Sequence, residues 1–157
     1  MIVIGIDPGI ARVGYGVVEK QGHAIRLITY GCIETEGKDR SNASRLLEIY
    51  GLISVLLDDY PADHASVERL FFAKNVTSAM QVSEVRGVIL LAAEERQIPI
   101  TEYTPNQIKQ SVTGSGRAGK QQVQEMVRRL LGLNEIPRPD DAADALAAAL
   151  CHINTLR

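Results

Sequence analysis

Two cysteines, two phenylalanines, no tryptophan and a net charge of -2 leave this chain short of several chemistries. Cys32 and Cys151 have neither the spacing of a metal site nor the density of a disulfide-stapled secreted protein, so buried free thiols in a reducing cytosol are expected. No long apolar run opens the chain. Residues 2–6 start directly, without a basic region and signal-peptide core before them, and the apolar stretch at 142–151 is short and interrupted by Asp144. A cytoplasmic protein without a membrane segment is expected. The missing positive charge is partly a matter of averaging. Residues 1–68 carry six basic and ten acidic side chains, whereas residues 69–137 carry nine and six, so a polyanionic partner remains open to the central and late parts of the chain.

What is present suits one compact domain over residues 1–157: the length and 45% hydrophobic content supply a sizeable core. Strands are expected at 2–7, 14–19 and 24–34, with Gly22 turning the second into the third as an antiparallel meander. Helical spacing of Leu46, Leu47, Ile49, Tyr50, Ile53, Leu56 and Leu57 predicts a helix over 42–59, with Ser41 or Asn42 as its cap. A short buried strand at 64–68, a helix over 76–96 and a strand at 98–103 give the rhythm of parallel strands joined by covering helices. Helices from Thr104 to about Ser111, over 120–131 and over 141–154 complete the expectation, with Gly132 closing the second of them. The fold class is then α/β, a mixed five-stranded sheet flanked by helices on both faces.

Four carboxylates carry the chemistry. Asp7 and Glu68 each close a strand, at the edge where sites of α/β proteins collect. Asp141 and Asp144, three apart at a helix start, share a face and a location favourable to negative charge. Gathered together they would repel unless protonated or neutralised, and Mg²⁺ takes oxygen ligands while retaining waters for a substrate. Two such ions about 4 Å apart would suit phosphodiester hydrolysis without a His or Lys base. Plainer roles also exist: Asp7 as a cap of the Pro8-Gly9 turn, Asp141 as a helix cap, Glu68 as the partner of an arginine. Asp140, one position off the Asp141/Asp144 face, reads as a cap or exposed acid.

The segment from Gly114 to Gln121 comes close to a nucleotide-binding P-loop, but Gln121 stands where Ser or Thr would hold Mg²⁺ and the preceding residues read as helix. A flexible, positively charged approach to a phosphate backbone fits it better, with Lys109, Arg117 and Lys120 as candidates. Phe71 and Phe72, just after Glu68, could fill the core, stack on an unpaired base or wedge into a distorted duplex. The following helix has more apolar surface than one sheet face needs, which two copies packed across a two-fold axis would cover.

These residues together resemble the RuvC-type Holliday junction resolvases, on the ribonuclease H-like fold. Gly5-Ile6-Asp7-Pro8-Gly9 with Gly14-Tyr15-Gly16 match, as do Val67-Glu68-Arg69-Leu70-Phe71-Phe72-Ala73-Lys74-Asn75, residues 79–87 and Gln107-Ile108-Lys109-Gln110. So do the segment from Gly114 to Lys120 and Asp141-Ala142-Ala143-Asp144-Ala145-Leu146. The resemblance implies that Asp7, Glu68, Asp141 and Asp144 are the catalytic and metal-binding acids, with two Mg²⁺ ions per site and Mn²⁺ as a substitute. It implies Lys109 and Lys120 near the scissile phosphate, Phe71 at the junction, and Phe72, Lys74 and Arg117 as further DNA-binding candidates. It further implies a homodimer that nicks two strands of a four-way DNA junction symmetrically and works with a branch-migration helicase complex. A ribonuclease H-like enzyme acting on RNA–DNA hybrids and a non-catalytic junction-binding protein are the competing readings.

Overall fold

A computed structural model describes residues 1–35, 40–69 and 76–156. Five strands, β1 (Ile2–Asp7), β2 (Arg12–Gln21), β3 (Ala24–Glu34), β4 (His64–Glu68) and β5 (Ile100–Tyr103), form one sheet in the order β3-β2-β1-β4-β5. The first three make the antiparallel meander, and β4 and β5 join in parallel. Five helices accompany them: α1 (Asn42–Asp59), α2 (Val76–Glu94), α3 (Pro105–Thr113), α4 (Lys120–Leu130) and α5 (Asp140–Thr155).

Strand alternation divides the core in two. Ile4 and Ile6 of β1, with Ala65 and Val67 of β4, face α1 and α2 and pack with Ile49, Ile53, Val85 and Ile89. Val3 faces the other way, into a layer made with α3, α4 and α5. Period two therefore sends Asp7 toward the same side as Val3, and Glu68 toward the same side as Ser66, whose hydroxyl donates to the Ala148 carbonyl of α5 at 2.7 Å. Both acids face α5 because their neighbours face the core beneath α1 and α2.

Helix α5 lies against the sheet unusually closely. Ala142, Ala143 and every residue from 145 to 153 are buried. A Cβ on Gly5 would stand 1.9 Å from the Ala145 carbonyl oxygen, so only glycine lets β1 and α5 approach as they do. The alanine-rich helix and the glycines of β1 and β2 are two halves of one contact.

The expected element boundaries differ from the observed ones by a few residues, most at β2, which starts at Arg12, and β5, which starts at Ile100. Ser41 is the α1 cap, accepting from Ser44 N at 3.1 Å. Thr104 caps α3 through a reciprocal pair with Gln107. Neither Asp140 nor Asp141 is the cap of α5: that position belongs to Pro139, which offers no side-chain hydrogen bond. Gly132, in the left-handed region at φ 64°, comes one residue after the α4 cap Leu131. Cys151 is a buried free thiol, whereas Cys32 is only partly buried. Helix α2, at 19 residues and a mean hydropathy of 1.2, is long and apolar enough to cross a membrane, yet the Asn42–Glu84 and Arg86–Glu102 contacts fasten it to α1 and β5.

Candidate active site

The parallel pairing of β1 with β4 carries Ile6 alongside Val67, so the next residues, Asp7 and Glu68, end neighbouring strands on the α5 side. Helix α5 brings its first turns to the same place. A Cβ on Gly14, the β2 partner of Asp7, would stand 2.0 Å from the Asp141 carbonyl oxygen, which fixes how near the helix start comes to the strand ends.

The acids raise one another's proton affinity. Burial, then the charges of Glu68, Asp144 and Asp141, push Asp7 from 3.8 up to about 8, with Lys120 opposing. Burial and the Asp144 charge push Glu68 upward, against Lys109 and Lys120. Burial also raises Asp144, while Lys120 pulls it down. All four predicted acids are thus within one electrostatic neighbourhood, where burial is the first cause of the rise at Asp7, Glu68 and Asp144 and the lysines offset it only in part.

Glu68 and Asp144 line a cleft of about 230 Å³ with Lys109, Lys120, Pro105, Ile108, Val123 and Ala147. That is below the ~300–1,000 Å³ of pockets that enclose a small ligand. It suits the backbone of a polymer reaching in from outside. The Lys120 ammonium lies 3.4 Å from Asp144 and 3.2 Å from Asp140. Burial alone would lower the Lys120 pKa, but the two carboxylates outweigh it and the net shift is upward. Asp141 turns the other way, to Arg12 Nη1 at 3.9 Å, and Arg12 Nε meets Glu34 at 3.2 Å.

Among the described residues, no three acids stand close enough to hold one metal ion as they are placed. By chemistry the set still fits a hard cation: it offers carboxylate oxygens only, on strand ends and a helix start, in a partly buried setting that disfavours bare carboxylates and that a divalent ion would relieve. Asp7, Glu68, Asp141 and Asp144 are the residues that could hold it.

Of the basic candidates, Lys109 and Lys120 reach the cleft. Arg117 is exposed between α3 and α4 and does not line it. The glycine-rich connection is pinned rather than loose: Gln110 Nε2 donates to the Gly114 carbonyl and Gly116 N donates to Gln110 Oε1, both at 2.9 Å. Phe71, Phe72 and Lys74 lie outside the described residues. Sequence reasoning missed Arg12. Its signal was the β1–β2 hairpin, which returns the chain from Asp7 to Gly14 and so keeps any basic residue between them beside the acids.

The chain is similar to known proteins in both sequence and fold. The family model "Crossover junction endodeoxyribonuclease RuvC" matches residues 3–152. A crossover junction endodeoxyribonuclease RuvC of Petrotoga mobilis is 54% identical over 157 residues, covering 100% of this chain and 96% of the relative. Its counterpart in Halothermothrix orenii is 52% identical, covering 100% and 94%. Among solved structures, Thermus thermophilus RuvC superposes with a TM-score of 0.90 at 38% identity, covering 98% of this chain and 94% of that one. The same organism's RuvC in complex with Holliday junction substrate superposes at 0.89 and 35%, with the same coverage.

Proposed function

The chain belongs to the RuvC family of crossover junction endodeoxyribonucleases, and on that premise we propose that it is a cytoplasmic, Mg²⁺-dependent nuclease that resolves four-way DNA junctions by paired symmetric nicks. The observation that carries the reading is the cleft in which Glu68 and Asp144 meet Lys109 and Lys120, with Asp7 in electrostatic contact with both acids, an arrangement suited to a backbone phosphate. Held by Asp7, Glu68, Asp141 and Asp144, two Mg²⁺ ions, or Mn²⁺ in their place, would supply an activated water and charge stabilisation of the leaving oxygen.

The chain's own residues do the rest. The strand ends fix Asp7 and Glu68, and the close seat of α5 fixes Asp144 relative to them. Lys109 and Lys120 face the acids from α3 and α4, where they would draw in and orient the phosphate diester. Arg12 and Arg117 are exposed and would meet neighbouring phosphates, and Phe71, Phe72 and Lys74 are the further DNA-binding candidates that the family resemblance implies. Two cuts per junction require two such sites, which a homodimer provides. The exposed apolar residues Val76, Met80 and Leu91 of α2 support that assembly; the family resemblance further implies work with a branch-migration helicase complex.

The test is cleavage of a synthetic four-way junction, a linear duplex and an RNA–DNA hybrid across an Mg²⁺ titration. Junction-selective, Mg²⁺-dependent paired nicking is expected. Preference for the hybrid would move the activity to the ribonucleases, and tight junction binding without any cutting would make the protein a binding module.

A further inference from the structure

Asp140 is the acid at the α5 start that the catalytic set leaves out. Its carboxylate meets Lys120 Nζ at 3.2 Å, and Asp144 meets the same nitrogen at 3.4 Å. Four residues apart on a helix, the two acids share a face, and the ammonium sits in the fork between them. Arg138 also pairs with Asp140. The buried Gln124, one turn along α4 from Lys120, places its amide near the same carboxylate, though without a hydrogen bond of ordinary geometry. Lys120 itself opens α4 behind Gly119, which supplies no side-chain cap, and its side chain is 55% exposed. A flexible four-carbon stem in that setting needs an anchor to stay over the cleft.

We infer that Asp140 is a positioning residue that keeps the Lys120 ammonium at the mouth of the cleft while Asp144 is engaged by the metal and substrate. The inference rests on the nuclease reading above. Asp144 would hold Lys120 less well in that state, because a carboxylate shared with a divalent cation attracts an ammonium more weakly and the two cations repel. Asp140, one turn back, retains its charge and its contact. Lys120 is thereby released from Asp144 toward a phosphate without being released to solvent.

Two measurements decide it. In the first, reductive methylation of Lys120 in the DNA-free protein with saturating Mg²⁺ is followed by mass spectrometry, with Lys20 as internal reference. D140N should accelerate labelling of Lys120 by about 3- to 10-fold, and D140E should restore protection. In the second, single-turnover cleavage of a four-way junction should slow by about 3- to 10-fold in D140N, with the dissociation constant for the junction changed by less than about twofold. In a K120Q background the added D140N should have no further effect. An unchanged labelling rate, or the same slowing with and without Lys120, overturns the inference. If the wild-type protein fails to cut junctions, the nuclease reading falls, while the labelling comparison still decides whether Asp140 holds Lys120.

Discussion

Gly14 and Asp141 touch so closely that the absent side chain sets the position of the helix: a Cβ on Gly14 would stand 2.0 Å from the Asp141 carbonyl oxygen and 3.0 Å from its Cβ. Gly14→Ala should therefore push the start of α5 away from the strand ends. We expect a loss of about 1–3 kcal/mol in urea unfolding and a fall of about 100-fold in cleavage from the displaced aspartates. Gly51→Ala in α1, where nothing lies within 4 Å of the added carbon, is the matched control. It should be neutral or stabilising by up to about 1 kcal/mol.

Asp7→Asn keeps the shape of the strand end and removes charge from the acid set. Cleavage of a four-way junction should drop by about 100-fold or more. Binding, which depends on the basic surface, should change by less than about threefold, as measured by gel shift in Ca²⁺ or EDTA. Full cutting by this variant would remove Asp7 from the mechanism.

Because burial and the neighbouring acids raise Asp7 from 3.8 to about 8 in the folded protein, the metal-free native state holds a proton that the unfolded chain releases between those values. Stability without metal should then decline as pH rises from about 4 to about 8 and level off above. Glu68 and Asp144, also raised, act in the same direction. In EDTA the melting temperature should fall by about 5 °C or more from pH 5 to pH 8.5, and Mg²⁺ should abolish most of that fall. A flat profile in EDTA would mean that the acids do not crowd one another as the fold indicates.

Arg86 of α2 makes a two-pronged pair with Glu102 of β5, with the Nη2 to Oε2 distance at 2.7 Å and both side chains largely shielded. Arg86→Ala leaves Glu102 without that partner and should cost about 1–3 kcal/mol in chemical denaturation. The double variant R86A/E102Q should recover part of the loss. If it does not, the packing of the arginine stem, and not the charge, is what holds α2 to the sheet edge.

Val76, Met80, Gly87 and Leu91 follow one stripe of α2, and the three larger side chains are each more than half exposed. If α2 carries the proposed homodimer contact, the wild-type protein should sediment as a dimer and Met80→Glu as a monomer in sedimentation velocity. Paired nicking of a junction should become single nicking. A variant that stays dimeric would place the contact between copies elsewhere.

Much of this was legible in the chain. The unbroken apolar run of residues 2–6, the short apolar segment at 64–68 and the helical spacing of residues 42–59 are local signals, and the structure follows them because the two strands are buried on both faces and the helix on one. The acids were legible through their places at strand ends and a helix start. Arg12 and the partnership of Asp140 with Lys120 were not, since both depend on long-range approach: β2 folding back beside β1, and α4 laying its first residue across the start of α5. Gly5 and Gly14 stood in recognisable motifs, but their physical reason, contact with a helix more than 120 residues later, becomes visible only in three dimensions.

The seating of α5 on the glycine-lined strands also determines when the protein becomes dangerous to DNA. Asp7 and Glu68 come into line as soon as β1 and β4 pair, but the remaining aspartates arrive only with the docking of a helix drawn from the far end of the chain. On the proposed four-acid site, a partly folded or clipped molecule that lacks α5 would keep two of the acids and lose the cutting geometry. Completion of the fold would then act as the safety catch on the nuclease.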